Sequence, residues 1–249
     1  METQYQQFAA WLQTSLGQYL LRVEQRELYT LWQKAHGDYL VSLATTAQEH
    51  LTQESLAEQK VMINPDMPLI GTRVVAGAVG GFMSFLPDSV DIVLLPHTLD
   101  FTTDPYKLLR EIDIILRPDG YVVIIGFNPC SLWGLRRFFS FRQKAPWSGR
   151  FRWPSRVRDW LQLLNFEVLQ NKYALYRPPI MQEQVFACTG FLEWLGRYGF
   201  SIFGGIYMIL ARKKTFYVKP LRSGWEKLAK VLSSHGVMEP ATRRVNYNE

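Results

Sequence analysis

A histidine and an aspartate three positions apart follow an apolar run, in Leu95–Pro96–His97–Thr98–Leu99–Asp100–Phe101. Imidazole titrates near neutral pH, so His97 is the best candidate for chemistry, either orienting a substrate group or taking its proton. Its competing reading is a loop histidine that caps the end of a strand or helix. Asp100 reads three ways: helix N-cap, salt-bridge partner or functional acid. The two cysteines, Cys130 and Cys188, have no ligand spacing, so no metal site is expected. They read as free thiols of a reducing compartment.

A second cluster is larger and less specific. Arg136, Arg137, Arg142, Lys144, Arg150, Arg152, Arg156 and Arg158 follow one another with no acidic residue between them. Phe138, Phe139, Phe141, Trp147, Phe151 and Trp153 are interleaved. Such a run can stack on bases and pair with phosphates of RNA. It can equally rest on an anionic membrane surface, or simply pack its aromatics on a sheet edge. All three readings stay open.

The elements that must position these residues form an alternating series. Residues 5–35 predict one helix, stopped at His36–Gly37–Asp38. Residues 39–43 predict a buried strand, 47–59 a short helix, 61–63 a strand and 72–76 a weaker strand, followed by a flexible loop at 77–81. Asp91–Leu95 is a nearly all apolar strand, as expected for one covered on both faces. Asp104 caps a helix with Pro105 in its first turn. Arg117–Pro118–Asp119–Gly120 turns the chain into a strand over 121–125. A helix over 157–164, a strand from Phe166 toward Tyr176, an aromatic amphipathic helix over 182–198 and a strand over 205–212 follow. The 182–198 helix suits a core or a homo-oligomer surface. Alternation of this kind predicts an α/β fold: a doubly wound Rossmann-like sheet, mostly parallel with a final antiparallel strand, and helices on both faces. Ligands then bind beyond the strand C-termini.

A chain of 249 residues with 47% hydrophobic residues suits one such domain. The expected organisation is an N-terminal helical segment over 1–37 and a main domain over 38–215. The basic-aromatic insertion occupies 131–158 and a tail 216–249. The N-terminus lacks a basic start followed by an apolar run, and the apolar stretch 200–211 is broken by Gly204 and Gly205. It falls short of the roughly 20 residues a spanning helix needs. A cytoplasmic protein is expected, peripheral to membrane under the lipid reading.

The strand-loop-helix-turn-strand succession from Ser89 to Gly126 resembles the second half of a class I S-adenosylmethionine-dependent methyltransferase. Phe127–Asn128–Pro129, Ser131–Leu132–Trp133–Gly134–Leu135–Arg136–Arg137 and Leu175–Tyr176–Arg177–Pro178–Pro179 resemble a bacterial methyltransferase-like subgroup. Thr14–Leu20 and Glu24 fit it too.

The resemblance implies an S-adenosylmethionine cofactor, with Ser42, Ala44, Thr45 and Thr46 at its amino-acid end. It further implies Asn64 at the ribose, Gly80 in the loop lining the adenine and Pro96 at the strand edge. His97 would face the substrate, an unidentified small-molecule or lipid-like acceptor, with Asp100, Phe101, Asn128 and Trp133 on the same side. The family's glycines and acids are replaced here: Ser42 stands for the first acid, Ala44, Thr46 and Gln48 for glycines, and Asn64 for the second acid. The alternative is therefore a non-catalytic protein of the same fold that binds a partner or an anionic surface.

Overall fold

A computed structural model describes residues 4–64, 74–76, 85–139, 145–179, 196 and 201–215. The chain divides into two units, Met1–Thr215 and Phe216–Glu249, and the described residues all belong to the first. The loop around Gly80, the 182–198 segment and the 216–249 tail lie outside them.

Seven strands form one sheet: β1 (Tyr39–Leu43), β2 (Gln59–Asn64), β3 (Val74–Ala76), β4 (Val90–Pro96), β5 (Leu116–Phe127), β6 (Phe166–Ala174) and β7 (Ile206–Lys213). Their spatial order is β3-β2-β1-β4-β5-β7-β6. The first five run parallel, and β7 runs antiparallel to both its neighbours. The expected doubly wound sheet with its antiparallel end is therefore present. Strand order reverses between β1 and β4, and in open α/β sheets ligands bind beyond the strand ends at such a point.

Both faces of the central strands are covered, which explains their unbroken apolar runs. Leu40, Ile92 and Leu94 point to one side and pack with Leu12, Leu20, Leu28 and Trp32 of helices α1 (Gln4–Leu12) and α2 (Ser15–Trp32). Val41, Val93 and Leu95 point to the other. There they meet Leu108, Leu109 and Ile112 of α4 (Pro105–Ile115) and Val157 and Leu161 of α6 (Pro154–Leu163). Among the described residues are two shorter helices: α3 (Thr98–Phe101) after β4, and α5 (Leu132–Phe139) after β5.

Three predicted elements differ. The expected turn at Arg117–Pro118–Asp119–Gly120 lies within β5, which starts at Leu116 opposite Val90 and shifts register against β4 before Tyr121. The single helix over 5–35 is two helices. Thr14 caps α2, its Oγ1 accepting from Gly17 N at 3.2 Å and donating to Trp11 O at 2.7 Å. Gly17 is required at this corner, because a Cβ there would lie 2.5 Å from Leu12 Cα. The predicted helix over 47–59 is a 3₁₀ turn over Thr46–Thr52. Its side chains fold back on the backbone of its own start, and Trp32 Nε1 of α2 donates to Leu51 O at 3.1 Å. As predicted, Asp104 caps α4, accepting from Lys107 N.

Candidate functional site

The region at the strand reversal is built from the ends of β1 and β4 and from α2, which packs against them. On the β1 side the chain after Leu43 closes on itself. Ala44 N donates to Ile63 O at 3.0 Å, extending the ladder with β2 by one residue. Thr45 N and Thr45 Oγ1 both donate to Gln48 Oε1, at 3.2 and 3.1 Å. Thr98 Oγ1 donates across to Leu43 O at 2.8 Å, tying the end of β1 to the chain beyond β4. Ser42, Ala44, Thr45 and Gln48 are buried, whereas Thr46 is exposed. Asn64 is buried at the end of β2, beside Ala76 of β3.

Three polar atoms around this end have no hydrogen-bond partner: Ser42 Oγ, Gln48 Nε2 and Glu24 Oε2. All three are buried, and an unsatisfied buried polar group costs roughly 1–3 kcal/mol. Ser42 shares the sheet face of Leu40, the face that α2 covers, by strand alternation.

The β4 side is fully engaged. His97 takes the left-handed conformation (φ 58°), and its N donates to Ile125 O at 2.8 Å. The side chain is 0% exposed. Nε2 lies 2.6 Å from Glu24 Oε1 and Nδ1 lies 3.3 Å from Asp100 Oδ2. Phe127 stacks on the imidazole at 4.0 Å between centroids, and Phe8 meets it edge-on at 5.5 Å. Burial alone would depress the pKa of His97. Glu24 and Asp100 overcome that effect and push it up to about 9. At neutral pH the ring is therefore an imidazolium donating to two carboxylates.

Asp100 is equally enclosed. Its Oδ2 accepts from Phe127 N at 2.9 Å, its Oδ1 from Arg152 N at 3.4 Å, and its carbonyl from Arg150 N at 2.6 Å. Burial raises its pKa, opposed by the bonds from His97 and the backbone. The Glu24–His97–Asp100 line thus joins α2, the end of β4, the end of β5 and the basic-aromatic segment.

The structure brings His97, Asp100 and Phe101 together, but as packed groups. His97 has no face toward a substrate and no free nitrogen to act as a base at neutral pH. Phe101 packs on Phe8 at 4.7 Å and on Tyr5 at 5.5 Å. Asn128 closes the start of β7, donating from Nδ2 to Ile202 O and Gly204 O at 2.7 and 2.9 Å. Trp133 is buried, and its Nε1 donates to Arg177 O at 3.0 Å. Pro96 is buried under the same edge, and Gly80 lies outside the described residues. Among the described residues no group of His, Cys, Asp and Glu is arranged to hold a metal.

The residue that sequence reasoning missed is Glu24. Its signal was present: Glu24 sits four residues from both Leu20 and Leu28, a carboxylate on the buried stripe of α2. Such a residue needs a partner.

The basic-aromatic segment folds partly inward. Arg136 lies over Trp147 at 4.6 Å and Arg137 over Phe151 at 5.3 Å. Phe151 stacks on Phe127 at 4.8 Å. Part of the aromatic content therefore serves the core, as the packing alternative expected.

Comparison with known proteins agrees with this architecture. The methyltransferase domain family matches residues 34–124. The uncharacterized protein YafS of Escherichia coli (strain K12) is 35% identical over 160 residues, 64% of this chain and 65% of that protein. An uncharacterized protein of Mycobacterium tuberculosis is 32% identical over 111 residues, 43% of this chain and 38% of that one. The chain thus spans less than two thirds of the length of these relatives.

Among solved structures, a S-adenosylmethionine-dependent methyltransferase of Thermotoga maritima, a possible histamine N-methyltransferase, superposes with a TM-score of 0.57 at 17% identity. It covers 85% of this chain and 100% of its own. The N-methyltransferase NodS of Bradyrhizobium japonicum, in complex with S-adenosyl-L-homocysteine, gives 0.55 at 10% identity over 86% of this chain and 100% of its own. At such identities the likeness speaks for the fold.

Proposed function

Because the methyltransferase domain family matches residues 34–124 and the fold is shared with S-adenosylmethionine-dependent methyltransferases, we propose that the chain binds this cofactor where β1 and β4 end and methylates a small-molecule or lipid-like acceptor. The observation that carries the reading is the set of three partnerless buried atoms, Glu24 Oε2, Ser42 Oγ and Gln48 Nε2. Their chemistry fits the amino-acid end of the cofactor. A carboxylate oxygen suits an ammonium, while an amide N–H and a hydroxyl suit a carboxylate. Asn64, buried at the end of β2, would meet the ribose hydroxyls in this reading. Bound there, the cofactor would supply an electrophilic sulfonium methyl, whose carbon would bond to the acceptor's nucleophile as its bond to sulfur breaks and S-adenosylhomocysteine leaves. The chain's own contribution is alignment and exclusion of water. His97 holds α2 over the edge through Glu24 and takes no proton from the acceptor.

The test is titration with S-adenosylhomocysteine. Ligand at a hundred times its dissociation constant should stabilise the fold by about 2.7 kcal/mol. Ser42→Ala with Gln48→Leu should weaken binding about tenfold or more, two hydrogen bonds to a charged group being lost. No stabilisation at millimolar ligand would overturn the reading.

A second reading, a non-catalytic protein of this fold, is favoured by the closed loop after β1. Leu43 O, Ala44 N and Thr45 N are all bonded within the chain. A glycine-rich loop would offer such groups to a ligand. The same titration separates the two readings.

A further inference from the structure

Helix α5 carries a face that the β1–β4 edge does not use. Trp133 turns into the core. At about 100° per residue, Phe138, Leu135, Phe139 and Leu132 fall on one outward arc, with Arg136 at its rim. Their exposures are 83%, 53%, 65% and 44%. Phe138 and Phe139 meet edge to face at 5.6 Å, so they form one apolar knob. Ile202 and Phe203, in a 3₁₀ turn over Ser201–Phe203, are also more than half exposed.

A recess of about 760 Å³ opens in this region, its walls including Leu132, Leu135, Phe138, Tyr176 and Phe203, with Arg137 beside them. Scattered exposed apolar side chains are ordinary on a protein surface, but a contiguous group of this size marks a contact site.

The charge around it identifies the partner. From Gly120 to Arg158 the sequence has no acidic residue, and eight basic ones follow one another from Arg136. Arg136 is exposed at the rim of this face, and Arg137 lines the recess. RNA would satisfy the cations and could stack on phenyl rings, but it offers nothing to the aliphatic side chains Leu132 and Leu135. An anionic bilayer satisfies both, with hydrocarbon beneath a layer of phosphates. No helix among the described residues is long and apolar enough to cross a membrane, so the contact is one of surface insertion.

We propose that the outward face of α5 docks on the anionic leaflet of a lipid bilayer. Phe138, Phe139, Leu135 and Leu132 enter the hydrocarbon boundary, and the surrounding arginines meet headgroup phosphates. The docking is independent of cofactor binding.

The experiment is sedimentation of the full chain with vesicles of phosphatidylcholine, alone or mixed with phosphatidylglycerol. Binding is expected to the mixed vesicles, to weaken as salt rises, and to fall about tenfold or more in Phe138→Ser/Phe139→Ser. Both positions are exposed, so the variant should keep the wild-type far-ultraviolet circular dichroism. Equal binding to phosphatidylcholine alone would overturn the proposal. So would unchanged vesicle binding by the double variant, or retention on polyuridylic acid with no vesicle binding. If the double variant converts an oligomer to a monomer but keeps its vesicle binding, the face is a subunit contact and the proposal fails.

Discussion

The ends of β1 and β4 lie side by side and have opposite fates. At the end of β4 every polar side chain is spoken for. His97 and Asp100 are locked to each other, to Glu24 and to the backbone of β5 and the following segment. At the end of β1 the backbone is closed, while a hydroxyl and an amide are left without partners. The region whose sequence best matches a methyltransferase thus invests its polar residues in structure. The region whose motifs have been replaced keeps groups that a ligand could use. A residue type at a motif position is therefore weak evidence of its task until its partners are known.

The largest effect should come from breaking the β4 side. Asp100→Ala removes the acceptor for Phe127 N and Arg152 N and one counter-charge of a buried imidazolium. Breaking a buried pair by removing one partner costs about 3–5 kcal/mol. Urea unfolding should show a loss of that order. Replacing Glu24 and His97 together by Leu should cost much less than either single replacement. A double variant as unstable as the sum of the two singles would show that the two residues act separately.

The second effect is pH dependence. Folding raises the pKa of His97 from 6.5 to about 9. A group raised in the folded state contributes stability that is complete below its unfolded pKa and lost as pH climbs through the folded value. Stability should therefore fall by on the order of 3 kcal/mol as pH rises from about 6.5 past about 9. In His97→Gln this component of the profile should vanish. The pKa of Asp100 is also raised, and it acts in the same sense. A wild-type profile that is flat over this window would remove the charged triad from the account.

How much of this was legible from residues alone follows from distance along the chain. β4 and the apolar part of β5 were clear, because runs of consecutive apolar residues are local signals, whereas Pro118–Asp119–Gly120 reads as a turn by composition and yet lies within β5. The break between α1 and α2 was hidden, since Trp11, Leu12 and Leu16 continue the apolar stripe across it. The short turn after β1 read as a helix because Ala47, Leu51 and Leu56 are spaced about one helical turn apart, with Glu49, Glu54 and Glu58 between and after them. His97 was visible as a polar residue at a strand end. Its closest partner, Glu24, comes from 73 positions away, and no local pattern announces such a pair. The partnerless state of Ser42 Oγ and Gln48 Nε2 depends on what surrounds them, so composition could not reveal it.

The smallest effect sharpens the comparison most directly, because it has opposite signs at the two edges. Thr98 Oγ1 spans from the β4 side to Leu43 O at 2.8 Å. Thr98→Val keeps the shape and leaves that buried carbonyl without its donor, a loss of about 1 kcal/mol. Ser42 Oγ has no partner to lose. Ser42→Ala removes a buried hydroxyl that is unsatisfied in the free protein, so stability should stay level or rise by up to about 1 kcal/mol. Unfolding of both variants without ligand measures the two signs. Repeating the Ser42→Ala measurement with saturating S-adenosylhomocysteine should reverse its sign relative to wild type, since the hydroxyl is then a binding group. Should Ser42→Ala instead destabilise the free protein as much as Thr98→Val does, the hydroxyl already has a partner in solution and the two edges do not differ.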